Sequence, residues 1–221
     1  MSVRAHARSL TVALLLALVA TSARGADTIR KVLASPLVDE GSGPDGCTPA
    51  LTGRGAQVTW EVRVERLLPD GKALVETSRE ADEGRFPLCI ADLPLARNAE
   101  VELEFIAREG VLDRAAGIVV RFADAQDYYV AQVSAARGMV MLVRVVNGAY
   151  VELATRRIAV ASDRPHKLKL RAVDDRFTVW LDGEELFDAS DHRIVAAGRI
   201  GIWSRADSFT RYGDLFITVL D

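Results

Sequence analysis

From Thr59 onward, apolar and polar residues alternate in short runs, which is the period of strands that bury one face. Phe177, Val179 and Leu181 alternate with Arg176, Thr178, Trp180 and Asp182. Val101, Leu103 and Phe105 alternate with Glu100, Glu102 and Glu104. Further strands are predicted at 60–65, 73–77, 86–90, 117–122, 128–133, 139–146, 150–154, 157–160, 167–172, 199–203 and 213–220. Turn residues fall between the runs. Asp182-Gly183 and Asn147-Gly148 are the strongest, because a type I′ hairpin turn needs positive φ at both central residues. About a dozen short strands, with turns every 8–12 residues or so and no amphipathic helix, predict an all-β antiparallel sandwich. The spacing leaves little room for the crossovers that parallel strands need.

The same parity sorts individual side chains. Arg121 stands one step off Ile118, Val120 and Phe122 and is expected on the outer face of its strand. Trp180 and Trp203 are expected to face away from the core, opposite Phe177, Val179 and Leu181 in one case and Ile200 and Ile202 in the other.

The first residues read as a processing signal. Arg4 and Arg8 precede the apolar run Leu10 to Ala20, which is too short to span a bilayer, and Thr21-Ser22-Ala23 offers small residues for cleavage after Ala23. The expectation is a signal peptide over 1–23, then one domain over 24–221, periplasmic or secreted, with no stable membrane insertion after cleavage. The whole chain carries 28 basic and 31 acidic residues. Removing Arg4 and Arg8 leaves 26 against 31, a formal net charge of −5. Nucleic acid is therefore not expected as a partner, since it needs a clustered positive face. Nothing in the chain asks for an oligomer, and a monomer is expected. Cys47 and Cys89 are the two cysteines. In an oxidising compartment such a pair most often forms a disulfide, the alternative being two buried thiols; the bond would close a loop of about 40 residues worth on the order of 4 kcal/mol.

Several segments resemble a known superfamily. Ala116-Gly-Ile-Val-Val-Arg-Phe122 followed by Asp127-Tyr-Tyr-Val130 is similar to the core signature of the concanavalin A-like lectin/glucanase and laminin-G-like proteins. Asp127 stands where asparagine is common. His166-Lys-Leu-Lys-Leu-Arg171 with Arg176-Phe-Thr-Val-Trp-Leu-Asp-Gly183 resembles a second strand pair of that group, with Pro165 in the place of its usual tryptophan. Gly198-Arg-Ile-Gly-Ile-Trp203 with Ala206-Asp-Ser-Phe-Thr-Arg-Tyr-Gly-Asp214 resembles the closing pair. Upstream, Leu51-Thr-Gly-Arg-Gly55, Trp60 and Arg85-Phe-Pro-Leu88 are similar to exported bacterial proteins of this type. The resemblance implies a concanavalin A-like jelly roll, with sugar often bound on the concave face or at its rim loops. It implies no single function, because one sandwich hosts lectins, hydrolases and adhesive modules.

Candidate chemistry follows from residue type. Arg121 with Tyr129, Gln132 and Arg144 would combine planar guanidinium donors with aromatic faces, a pairing suited to sugars or carboxylates. The plainer reading has Arg121 pinning a loop through Asp124 or Asp127. Trp180 and Trp203 would add stacking platforms, unless a bulge turns them inward. Glu100, Glu102 and Glu104 share one strand face, as paired carboxylates of a retaining glycosidase would. The laminarinase-type context around such a strand is absent, and a polar outer face explains the alternation equally. Asp188, Asp191 and Asp207 are the candidate ligands for a calcium ion, while His166 and His192 lack metal-ligand spacing. The expectation is thus a non-catalytic domain binding glycan or another cell-envelope ligand on its concave face through Arg121, Tyr129, Gln132, Arg144, Trp180 and Trp203, with no cofactor. The alternatives are a glycoside hydrolase using Glu100, Glu102 and Glu104, and a laminin-G-like protein-binding module.

Overall fold

The computed structural model describes residues 28–31, 33–34 and 37–220. The expected signal peptide lies outside them. Five strands come first: β1 (Thr28–Lys31), β2 (Cys47–Gly53), β3 (Trp60–Val64), β4 (Lys72–Glu76) and β5 (Arg85–Ala91). The longer β6 (Ala99–Glu109) and β7 (Ala115–Asp124) follow, then β8 (Asp127–Ser134), β9 (Met139–Val146) and β10 (Ala149–Arg157). β11 (His166–Val173), β12 (Arg176–Leu181), β13 (Glu184–Ser190), β14 (Arg199–Trp203) and β15 (Phe209–Val219) complete the chain. No helix occurs among the described residues. Both hairpins expected from Asn-Gly and Asp-Gly are present, with φ of 50° and 72° at Asn147 and Gly148, and 52° and 86° at Asp182 and Gly183.

The strands form two antiparallel sheets, packed face to face as a jelly-roll sandwich. One has eight strands in the order β13-β12-β11-β6-β15-β4-β3, with β1 also paired to β15. The other has seven, in the order β10-β9-β8-β7-β14-β5-β2. Between them lie Val101, Leu103 and Phe105 of β6 and Leu168 and Leu170 of β11, against Ile118 and Val120 of β7, Ala131 of β8 and Leu142 of β9. Each of these side chains larger than alanine contributes roughly 1.5–3 kcal/mol by leaving water. A disulfide joins Cys47 and Cys89, tying β2 to β5. A buried ion pair crosses the core from β5 to β4, where Arg85 donates to Glu76 through two bonds of 3.1 and 3.2 Å.

The two outer faces differ, and the reason is in the strands. β6 and β11 alternate cleanly, so the eight-stranded sheet turns charged residues outward. β7, β8 and β9 are almost continuously apolar, and their second set of apolar side chains faces out of the sandwich. Leu88, Ile90, Val119, Val130, Val143 and Val145 form a second apolar cluster there, distinct from the core.

Candidate functional site

The outer face of the seven-stranded sheet carries its aromatic residues close together. Phe86 leaves β5 on the side opposite Cys89, and Trp203 leaves β14 on the side opposite Ile202. Their rings stack, with centroids 5.7 Å apart and planes inclined by 17°. Tyr150 of β10 lies against Phe86 with centroids 4.4 Å apart. Together with Gln132, Met141 and Val143, the Phe86 and Tyr150 rings line a groove of about 360 Å³, with Trp203 buried beneath. Arg137, Glu152 and Arg205 complete its lining.

A chain of hydroxyls fixes the ring edges. Thr52 Oγ1 lies 2.6 Å from the Ala125 carbonyl, which can only accept, so the threonine proton points there. Tyr128, 2.9 Å from Thr52 Oγ1, must then donate to it, and Tyr150, 3.0 Å from the Tyr128 oxygen, donates in turn. Burial pushes both phenols above the ordinary tyrosine range, so they stay neutral. The polar rim has its own scaffold. Asp113 is buried at 1% exposure and accepts from Ser134 Oγ at 2.5 Å, the Arg114 amide at 2.8 Å and Arg205 Nη1 at 3.2 Å. Arg137 Nε stands 3.8 Å from the same carboxylate. Gln132 is 7% exposed and lines the groove.

One of the six residues expected to form one binding face, Gln132, lines this groove. Trp203 faces outward as its parity requires, but Phe86 and its neighbours bury it completely beneath the groove. Arg121 does not follow its parity. A bulge interrupts the β7–β8 register between Val120 and Asp124, Arg121 takes φ of +51°, and its side chain turns into the end of the sandwich. There it donates to the carbonyls of Arg97 and Ile194, at 3.0 Å each, and of Asp174, with its guanidinium 5.2 Å over the Phe177 ring. It pins loops, as the plainer reading held, but through carbonyls rather than Asp124 or Asp127. Tyr129 shares the inward side of β8 with Ala131, packs on Phe177 and donates to Asp191 at 2.5 Å. Burial, helped by that carboxylate, pushes the phenol up to about 12. Arg144 pairs with Asp191 as well. Trp180 is on the outer face of the other sheet, half-buried, with Lys169 Nζ 4.4 Å from its ring centre.

Glu100, Glu102 and Glu104 lie on the outer face of the eight-stranded sheet, as their alternation requires. Lys167 Nζ is 3.0 Å from Glu102 and 3.4 Å from Glu104, and Lys169 Nζ is 3.6 Å from Glu100. The bond to Glu102 raises the Lys167 pKa. The three aspartates named as the candidates for calcium, against the plainer reading of solvated turn residues, each have other partners. Asp188 accepts from Arg176 and Thr178 at 2.6 and 2.5 Å. Asp191 takes Tyr129 and Arg144, and Asp207 takes the amides of Val111 and Leu112 at 2.7 and 3.0 Å. Among the described residues no three His, Cys, Asp or Glu side chains are placed to hold a metal ion. Phe86, Met141, Tyr150, Arg137 and Arg205 were not singled out by parity or motif. The signal that marks their face is the absence of alternation in β7 to β9, which means that both faces of those strands are apolar.

The chain has a jelly-roll fold of the kind seen in concanavalin A-like and galectin-like structures. Among solved structures it is similar to the carbohydrate-binding module CBM66 from Bacillus subtilis, with a TM-score of 0.61 and 20% identity over 77% of this chain and 94% of that one. The β-glucanase of Bacillus licheniformis gives 0.56 and 12% over 89% and 100%. Domain 4 of AbnA, an extracellular GH43 arabinanase from Geobacillus stearothermophilus in complex with arabinotriose, gives 0.51 and 14% over 77% and 82%. No family model and no curated protein sequence matches the chain.

Proposed function

We propose that this protein is an exported, non-catalytic jelly-roll domain that binds glycan through the outer face of its seven-stranded sheet. The observation that carries the reading is the aromatic shelf of Phe86 and Tyr150 over Trp203, bordered by Gln132, Arg137, Glu152 and Arg205. Apolar groove walls with a few convergent polar groups are the usual make-up of a small-molecule site, and aromatic faces suit the C–H faces of sugars. Three structures of this fold add support: a carbohydrate-binding module, a β-glucanase and an arabinanase domain holding arabinotriose. Export rests on the pattern of residues 1–23 and agrees with the Cys47–Cys89 disulfide.

A glycan array followed by calorimetry tests the reading. The folded protein is expected to bind at least one oligosaccharide, and Phe86→Ala and Tyr150→Ala are each expected to weaken it at least about tenfold, the loss of one stacking contact. Full affinity in both variants, with their melting curves intact, removes the shelf from the binding site.

A further inference from the structure

We propose that the groove on the seven-stranded sheet selects sugars that carry a carboxylate, through Arg205 and Arg137. The inference rests on the glycan-binding reading and adds the ligand's chemical class. Its basis is a count of hydrogen-bonding capacity at the rim. Asp113 stands behind both arginines, and its oxygens are already occupied by Ser134, the Arg114 amide and Arg205 Nη1. Arg205 spends only that one nitrogen on a strong contact. Its Nε is buried, and its Nη2, 4.0 Å from the exposed Glu83, is the donor left for a ligand. Arg137 touches Asp113 only at 3.8 Å, so most of its five N–H donors remain unspent.

Charge alone does not decide the matter. Arg137 and Arg205 stand against Asp113, Glu152 and Glu83, so the site has no excess of positive charge. Donor capacity does decide it. The Asp113 oxygens are taken, whereas Arg137 and the Nη2 of Arg205 keep donors to spare. A neutral sugar hydroxyl brings a donor with every acceptor. A carboxylate brings acceptors alone, in the planar fork that a guanidinium matches. The buried Asp113 holds Arg205 in place beforehand, so little side-chain entropy is lost when the ligand arrives. Uronic acids and sialic acids share this chemistry.

The experiment is calorimetry with two acidic arms, each against its neutral counterpart. One arm compares a galacturonate oligomer with the galactose oligomer of equal linkage and length, and the other compares sialyllactose with lactose. At least one acidic ligand is expected to bind about tenfold or more tighter than its neutral partner, the worth of hydrogen bonds to a charged group. That preference is expected to shrink as salt is raised. Arg205→Gln is expected to bring the acidic-to-neutral ratio close to one. Phe86→Ala is expected to weaken both ligands and leave the ratio standing. If Arg205→Gln does not fold, because Asp113 loses its nearest cation, Arg137→Gln reads the same ratio. Equal affinity for acidic and neutral sugars in both arms overturns the inference and leaves the glycan reading intact. Binding of neither kind overturns the inference as well, and the glycan array then decides the glycan reading separately.

Discussion

Arg85 and Glu76 show how much a single side chain can matter here. Both are within 1% of complete burial, and Glu76 also accepts from Ser78 Oγ at 3.0 Å and the Thr59 amide at 3.2 Å. Removing one partner strands the other in a low-dielectric interior, which costs about 3–5 kcal/mol. Arg85→Met is expected to lower the urea midpoint accordingly, and adding Glu76→Met is expected to recover part of the loss. Strictly additive losses would mean that the pair is not coupled. Asp191 offers a test with a sign. Burial pushes its carboxyl up, but the bonds from Tyr129, the Arg193 amide and Arg144 outweigh that and hold it below the usual range. A depressed folded pKa gives stability that is whole above the unfolded value of ~3.9 and is lost as pH falls through the folded one. Asp191→Asn should therefore be least stable relative to the parent near neutral pH, with the gap closing in acid. Denaturant titrations from neutral pH down to about 3 measure that gap, and a gap independent of pH would show that the carboxylate's charge plays no part. Residue-level parity was legible for Trp180, Trp203 and the three glutamates. It failed at Arg121, because one bulge residue with positive φ rotates a side chain from one face to the other.

At the scale of strands, the turns and the alternation of β6, β11 and β12 could be read directly from the residues, since Asn-Gly, Asp-Gly and period-two burial have local causes. The pairing order could not. β6 lies between β11 and β15, and β14 between β7 and β5, through contacts distant in sequence that no local pattern encodes. The candidate groove was hidden for the same reason. Phe86, Tyr150 and Trp203 come from β5, β10 and β14 and meet only when the sheet forms. The disulfide also acts at this scale. Cys47 and Cys89 are 42 residues apart and join β2 to β5 at an edge of the seven-stranded sheet. Replacing both with alanine is expected to cost about 4 kcal/mol, through loop-closure entropy returned to the unfolded chain. Differential scanning calorimetry of the double variant checks this, and an unchanged Tm would show that the edge is held without the bond.

For the molecule as a whole, one sandwich has two unlike exteriors. The eight-stranded sheet presents glutamate and lysine in paired ladders, while the seven-stranded sheet presents aromatic rings with donors along one rim. If the second exterior takes a ligand only when the sheet is formed, that ligand must stabilise the fold. At a hundredfold excess over Kd the gain is about 2.7 kcal/mol, which raises Tm by roughly 5–10 °C in a chain of this size. A thermal-shift series against the array-selected oligosaccharide is expected to show that rise in the parent and much less of it in Phe86→Ala. The most direct measurement is backbone-amide NMR of the folded protein titrated with the same oligosaccharide. Shift changes are expected to gather at Phe86, Gln132, Met141, Tyr150 and Arg205. Changes gathered instead around Trp180 and Lys169 on the opposite sheet, or at the end of the sandwich around Arg121, would contradict the assignment of the ligand face.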